Sequence, residues 1–118
     1  MTDYQKQQLA PEEEFKLLLS TALDYNENVD ELLLKKAFEF AKAAHKGQMR
    51  ESGDEYITHP VGVARILTEL KVDSMTLAAA LLHDVLEDTD ITGETLRIEF
   101  GEEIHDIVES LTKIDKIH

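Results

Sequence analysis

Cysteine and tryptophan are absent from this chain, proline occurs only twice, and basic residues are scarce, 12 lysines and arginines facing 25 aspartates and glutamates. Without cysteine there is no disulfide, no thiolate metal site and no cysteine nucleophile. No apolar run approaches the roughly 18 residues that mark a membrane span, and the opening Met-Thr-Asp-Tyr-Gln-Lys leads into no signal-peptide core. The expectation is a soluble, unprocessed protein of the cytoplasm. A formal net charge of −13 excludes nonspecific attachment to nucleic acid or an anionic membrane, because both rely on cationic neutralisation of phosphate. An anionic substrate would need a metal and a local basic patch to overcome that field.

The 118 residues show no internal repeat and no Ser/Gly/Pro-rich linker, so residues 1–118 are expected to form a single domain. Residues 1–12 have no strong apolar period and are expected to fray. From Glu13, the spacing of Phe15, Leu18, Leu19, Ala22 and Leu23 predicts a helix to about Asp24. The acidic run Glu12-Glu13-Glu14 complements the dipole at its start. After the polar turn Asn26–Asp30, the spacing of Leu32, Leu33, Ala37, Phe38, Phe40, Ala41 and Ala44 predicts a second helix running to Gly47.

The aperiodic stretch Gln48–Thr58, with turn chemistry at Ser52-Gly53-Asp54, is longer than a simple connection needs and reads as a functional loop. Thr58-His59-Pro60 restarts the helix, with proline in the first turn, and the apolar period continues to Leu70. Lys71-Val72-Asp73 breaks it. Asp73 or Ser74 caps a central helix, Thr92 caps a shorter one ending at Gly101, and Ile104, Ile107, Val108, Leu111, Ile114 and Ile117 mark a final helix. No stretch alternates with period two, so the expected fold class is all-α.

The chemistry concentrates in Leu77-Ala-Ala-Ala-Leu-Leu-His83-Asp84-Val-Leu-Glu87-Asp88-Thr89. On one continuous helix, His83, Asp84, Glu87 and Asp88 fall at i, i+1, i+4 and i+5 and share a face. They would suit a cation or an acid–base site, but equally a core histidine satisfied by a carbonyl beside a solvated helix end. Carboxylates at a helix C-terminus face the negative end of the macrodipole at a cost of up to about 1 kcal/mol, which a cation would offset. His59 lies 24 positions before His83 at the mouth of its own helix, and crossed packing would bring it to the His83-Asp84 end. Two imidazoles and a carboxylate suit a borderline or hard divalent ion such as Mn²⁺, Zn²⁺ or Fe²⁺.

The blocks Ala44-His45-Lys46-Gly47-Gln48, Tyr56-Ile57-Thr58-His59-Pro60 and Leu81-Leu82-His83-Asp84-Val85-Leu86-Glu87-Asp88-Thr89, in that order, closely resemble the N-terminal hydrolase domain of the RelA/SpoT proteins. These make and degrade the alarmone (p)ppGpp, and the domain belongs to the HD superfamily of metal-dependent phosphohydrolases. The resemblance extends over roughly residues 32–118. It implies an HD-type helical bundle, a single Mn²⁺ held by His59, His83 and Asp84, and an acidic pair, Glu87 and Asp88, that positions or deprotonates the attacking water. It also implies that Arg50 and Ser52 hold the guanosine of the substrate. The implied reaction removes the 3′-pyrophosphate of (p)ppGpp to give GDP or GTP. Lys46, Arg50 and Lys113 are expected to add local positive potential.

Two departures stand against the family pattern. Glu51 follows the loop arginine where the family often has a basic residue. The family's fourth metal ligand is an aspartate in a later Ala-Asp-Arg-Leu-His-Asn type segment, which this chain does not reach, so it is expected to be the front part of a hydrolase domain, with no synthetase domain. Asp106 or Asp115 would be stand-in ligands only against their spacing. His45 reads as a helix-end hydrogen-bonding residue, His105 and His118 as surface residues. The apolar stripe of the final helix predicts a homodimer. Competing readings are a non-catalytic nucleotide-sensing or regulatory module and an HD phosphohydrolase acting on another nucleotide.

Overall fold

The computed structural model describes residues 9–117, with side chains through residue 113. Helix α1 runs Pro11–Tyr25, α2 Glu31–Ala44, α3 Thr58–Thr68, α4 Ser74–Leu82, α5 Val85–Asp88, α6 Gly93–Phe100 and α7 Glu102–Ile117. The all-α expectation holds, and the only extended pairing among the described residues is an isolated bridge between Met49 and Glu55. Pro11 and Glu12 are helical rather than frayed, as suits a proline and three glutamates in a first turn. Leu9 and Ala10 precede the helix without regular structure, and residues 1–8 lie outside the described residues, as do His118 and the side chain of Asp115.

Helix α4 is the centre of the molecule. Leu77 through Leu82 are all fully buried, as expected of a helix that is apolar on every side, and α2, α3 and α7 pack around it. Asp73 accepts a hydrogen bond from the Thr76 N–H at 2.9 Å and so caps its first turn. The Asp30 N–H donates to Ser74 Oγ at 2.8 Å, tying the starts of α2 and α4 together. Helix α1 closes the far side through Phe15, stacked on Phe38 at 4.5 Å.

Three expectations are corrected. First, the central helix does not run through Asp88. It stops at Leu82 because the His83 side chain donates from Nδ1 to the Ala80 carbonyl at 2.6 Å, occupying the acceptor that a continuing helix would offer to the Asp84 N–H. The chain then restarts as the short α5.

Second, His105 is buried, at 4% exposure. Its Nδ1 lies 3.0 Å from Asp106 Oδ1 and its Nε2 2.8 Å from Glu109 Oε2. Gly93 lets α6 lie directly on this ring, since a Cβ there would come 3.2 Å from His105 Nε2. That long-range contact leaves no periodic trace in the sequence.

Third, the apolar stripe of α7 is covered by the protein's own core. Ile104 and Val108 are buried, and Ile107 and Leu111 pack against the same cluster. This covers the described part of the stripe from which the homodimer was expected, while the side chains of Ile114 and Ile117 lie outside the described residues.

Candidate active site

Three side chains from separate places converge. His59 sits in the first turn of α3, and His83 and Asp84 occupy the break between α4 and α5. His59 Nε2 lies 3.3 Å from Asp84 Oδ2, and His83 Nε2 lies 3.3 Å from Asp84 Oδ1. One ligand-type atom from each residue lies within 4.8 Å of the other two. His83 and Asp84 are buried and His59 is half exposed, so the cluster has a closed floor and one open side. The expected trio is thus brought together.

Its chemistry fits a divalent cation. Because the Ala80 carbonyl can only accept, the neutral His83 ring carries its proton on Nδ1 and directs the Nε2 lone pair toward a carboxylate oxygen. Two acceptors at that separation repel unless a proton or a cation lies between them. Donation of the distal ring nitrogen to a backbone carbonyl is also the usual way a metal-binding histidine is oriented.

The acidic pair follows on α5. Asp88 is gripped twice: its Oδ2 accepts from the Tyr56 hydroxyl at 2.7 Å, and its backbone carbonyl accepts from Gln48 Nε2 at 2.7 Å. The same Tyr56 hydroxyl lies 3.3 Å from Asp84 Oδ2. Burial above all, then its bond to Asp88 and the charges of Asp84 and Asp88, pushes the Tyr56 phenol far above its ordinary range, so it stays a donor.

Sequence reading did not single out Tyr56 or Gln48 as site residues. Both stand inside the blocks that carry the family resemblance, Tyr56 three positions before His59, and that was the available signal.

Gln48 and Tyr56 form the base of a compact hairpin where an irregular loop was expected. The Tyr56 N–H donates to the Gln48 carbonyl at 3.1 Å, the Arg50 N–H to Asp54 at 2.8 Å, and the Gly53 N–H to Arg50 at 2.8 Å. Gly53 takes φ +92°, in the left-handed region that favours glycine. Behind the base, His45 caps α2 as expected. It is buried, with Nδ1 3.3 Å from Gln48 Oε1 and its ring stacked on Tyr56 at 4.6 Å. Burial pulls its pKa below the ordinary histidine value.

The cluster lies between two recesses. One, of about 400 Å³, is lined by Met49, Arg50, Glu51, Ser52, Tyr56 and His59. The other, of about 660 Å³, is lined by Leu86, Glu87, Asp88, Glu109, Thr112 and Lys113. Arg50 and Ser52 therefore line a recess with His59, and Lys113 lines one with the acidic pair. Lys46 lines neither recess. It lines an adjoining groove with Glu39, Lys42, Gln48, Met49 and Glu55, and Met49 also lines the smaller recess. Asp106 groups with Glu102 and His105, apart from the His59–His83–Asp84 cluster.

Comparison with known proteins gives this geometry a lineage. The HD domain family matches residues 37–118. The chain is 45% identical over 103 residues to a guanosine-3′,5′-bis(diphosphate) 3′-pyrophosphohydrolase of Vibrio cholerae, covering 87% of this chain and 15% of that protein. It is 51% identical over 84 residues to the bifunctional (p)ppGpp synthase/hydrolase SpoT of Escherichia coli, covering 71% and 12%. It is 52% identical over 85 residues to a probable GTP pyrophosphokinase of Mycobacterium leprae, covering 72% and 11%. The chain spans between a tenth and a sixth of the length of these relatives. With the His59–His83–Asp84 cluster, the acidic pair and the hairpin all inside the matched segment, the chain belongs to the HD domain family, in its RelA/SpoT-like branch.

Proposed function

We propose that this chain carries the hydrolase site for (p)ppGpp, removing the 3′-pyrophosphate to leave GDP or GTP. The observation that carries the reading is the placement of the acidic pair's Asp88 against the His59–His83–Asp84 cluster, with Tyr56 within reach of both Asp84 and Asp88. The identity to relatives named for this reaction supports the substrate.

In this reading His59, His83 and Asp84 hold a divalent ion, Mn²⁺ by family resemblance. When bound, it supplies charge neutralisation at the phosphate and lowers the pKa of water in the site. The chain's own residues do the rest. The attacking water oxygen bonds to phosphorus as the bond from phosphorus to the 3′ oxygen of the ribose breaks. The water proton passes to the carboxylate of Asp88 or Glu87, which returns it, directly or through solvent, to the leaving 3′ oxygen, so that the ribose 3′-hydroxyl forms and the carboxylate is restored. With Asp88 Oδ2 held by Tyr56, Oδ1 is the oxygen assigned to receive the proton. Arg50 and Ser52 bind the guanosine part in the smaller recess, and Lys113 adds positive potential beside the acidic pair. Lys46 adds positive potential from the groove that adjoins the hairpin through Gln48 and Met49.

The proposal extends to location. Among the described residues no helix is long and apolar enough to cross a membrane, and the absence of cysteine fits a reducing cytoplasm. One observation favours a different nucleotide: Glu51 lines the same recess as Arg50 and Ser52 and opposes a heavily phosphorylated ligand. The deciding experiment is pyrophosphate release from ppGpp with and without Mn²⁺, using His83→Ala as the control. Mn²⁺-dependent release that the variant lacks supports the reading. No release, together with a larger thermal shift from dGTP than from GDP, transfers the site to another nucleotide.

A further inference from the structure

The hairpin and the acidic pair are built as one piece. Gln48 and Tyr56 are paired to each other through the Tyr56 N–H and the Gln48 carbonyl at 3.1 Å, and each then reaches across to the same residue of α5. Gln48 takes the Asp88 main-chain carbonyl and Tyr56 takes the Asp88 carboxylate, both at 2.7 Å. The carbonyl that Gln48 takes stands at the end of the four-residue helix Val85–Asp88, where Thr89 is already extended and an orphan acceptor needs a partner. His45 fixes the rear of both arms, stacked on the Tyr56 ring and in contact with Gln48 Oε1. Between the two arms the hairpin carries Arg50 and Ser52, the lining of the smaller recess.

A helix as short as α5 cannot hold its own last residue still, since few intrahelical bonds close within one turn. Its orientation must come from outside. Leaving the Asp88 carboxylate to rotate about χ1 and χ2 would spread its second oxygen over several positions, whereas a donor locked on Oδ2 leaves Oδ1 one direction.

We propose that Tyr56 and Gln48 are positioning residues that fix Asp88 in register with the hairpin, so that the surface receiving the nucleotide and the carboxylate receiving the proton move as a unit. This rests on the hydrolase reading above. Neither residue contacts the reacting atoms in this scheme. Tyr56 acts through Asp88 and, at 3.3 Å, on Asp84 Oδ2. Its single hydroxyl proton goes to the nearer carboxylate, Asp88 at 2.7 Å against Asp84 at 3.3 Å, so the hold falls on Asp88.

The test compares the full chain with Tyr56→Phe, which removes only the hydroxyl and keeps the ring on His45, and with Gln48→Ala. Two quantities are read: amide hydrogen exchange of residues 84–89 without nucleotide, and steady-state ppGpp hydrolysis with saturating Mn²⁺. Tyr56→Phe should speed exchange of that segment about fivefold, the loss of one hydrogen bond's worth of protection. It should lower kcat about tenfold or more while KM stays within about a factor of two. Gln48→Ala should act in the same direction, and the double variant should show less than the product of the two effects, because both act on one residue.

Unchanged exchange in Tyr56→Phe overturns the hold on Asp88, whatever the turnover. Faster exchange with kcat unchanged overturns the positioning role. A fall in melting temperature with kcat per folded molecule intact marks a purely structural contact and also overturns it. If the unmodified chain releases no pyrophosphate from ppGpp, the hydrolase reading fails by itself, and the exchange comparison still decides whether Tyr56 and Gln48 fix Asp88.

Discussion

His83 Nδ1 and the Ala80 carbonyl, 2.6 Å apart, form the bond that both ends the central helix and orients the ring that faces Asp84. The same contact sets a fold boundary and the ring tautomer that the proposed metal site requires. Replacing His83 with alanine should therefore raise the Kd for Mn²⁺ by about 100-fold or more, beyond the 10- to 100-fold typical of losing a supporting partner alone. Calorimetric titration of Mn²⁺ into both proteins checks this, and an unchanged affinity would remove His83 from the ligand set.

Gly93 has a packing reason to lack a side chain. Alanine in a helix is worth up to about 1 kcal/mol over glycine, but its Cβ would sit 3.2 Å from His105 Nε2. That ring cannot slide away freely, because Asp106 and Glu109 hold both its nitrogens. Overpacking of this kind costs about 1–3 kcal/mol. Gly93→Ala should lower stability by about 1 kcal/mol net, read from the urea midpoint at constant slope. A stabilised variant would mean that His105 moves aside at no cost.

How much of this was legible in the sequence depends on how far apart the interacting residues lie. Helices α1 to α4, α6 and α7 follow from apolar spacing and from caps such as Asp73 and Thr92, whose partners are three residues away. His59, His83 and Asp84, which the structure brings together, were singled out because their types and motif blocks suit a cation. The break at Leu82 was missed because it depends on which acceptor a buried histidine finds, and periodicity treats His83 as one more helical position. Tyr56 and Gln48 were missed because their partner is 32 and 40 residues away and neither type is a habitual ligand. His105 looked like a surface residue because only the absence of a side chain at Gly93, on another helix, gives it room.

Burial sets the sign of a pH effect at His45. Its desolvation outweighs the opposing influences of Gln48, Asp84 and Asp88, and His83 adds to it, so the folded-state pKa lies below the ordinary histidine value of about 6.5. Above that value both folded and unfolded forms are neutral and nothing is lost. As the pH falls through it, the unfolded chain takes up the proton first and stability declines until the depressed folded value is reached. His45→Phe, which keeps an aromatic ring on Tyr56, should flatten the fall in urea midpoint between pH 7.5 and 5.5, with a chelator present. An equally steep fall in the variant would assign that dependence to other groups.

Glu51 is the one acidic residue in the recess that holds Arg50 and Ser52, and it is exposed. In a chain of net charge −13, a carboxylate at that place raises the work of bringing a polyanionic nucleotide to the hairpin, while exposure and salt keep the effect modest. Glu51→Lys reverses the charge without touching His59, His83, Asp84 or the acidic pair. The KM for ppGpp should fall by roughly threefold to tenfold at low salt with kcat within a factor of two, and the gain should shrink as ionic strength rises. Steady-state hydrolysis at two salt concentrations reads both quantities. A KM that does not move would place the nucleotide's phosphates away from the hairpin, and a kcat that moves instead would mean that Glu51 reaches the reacting centre.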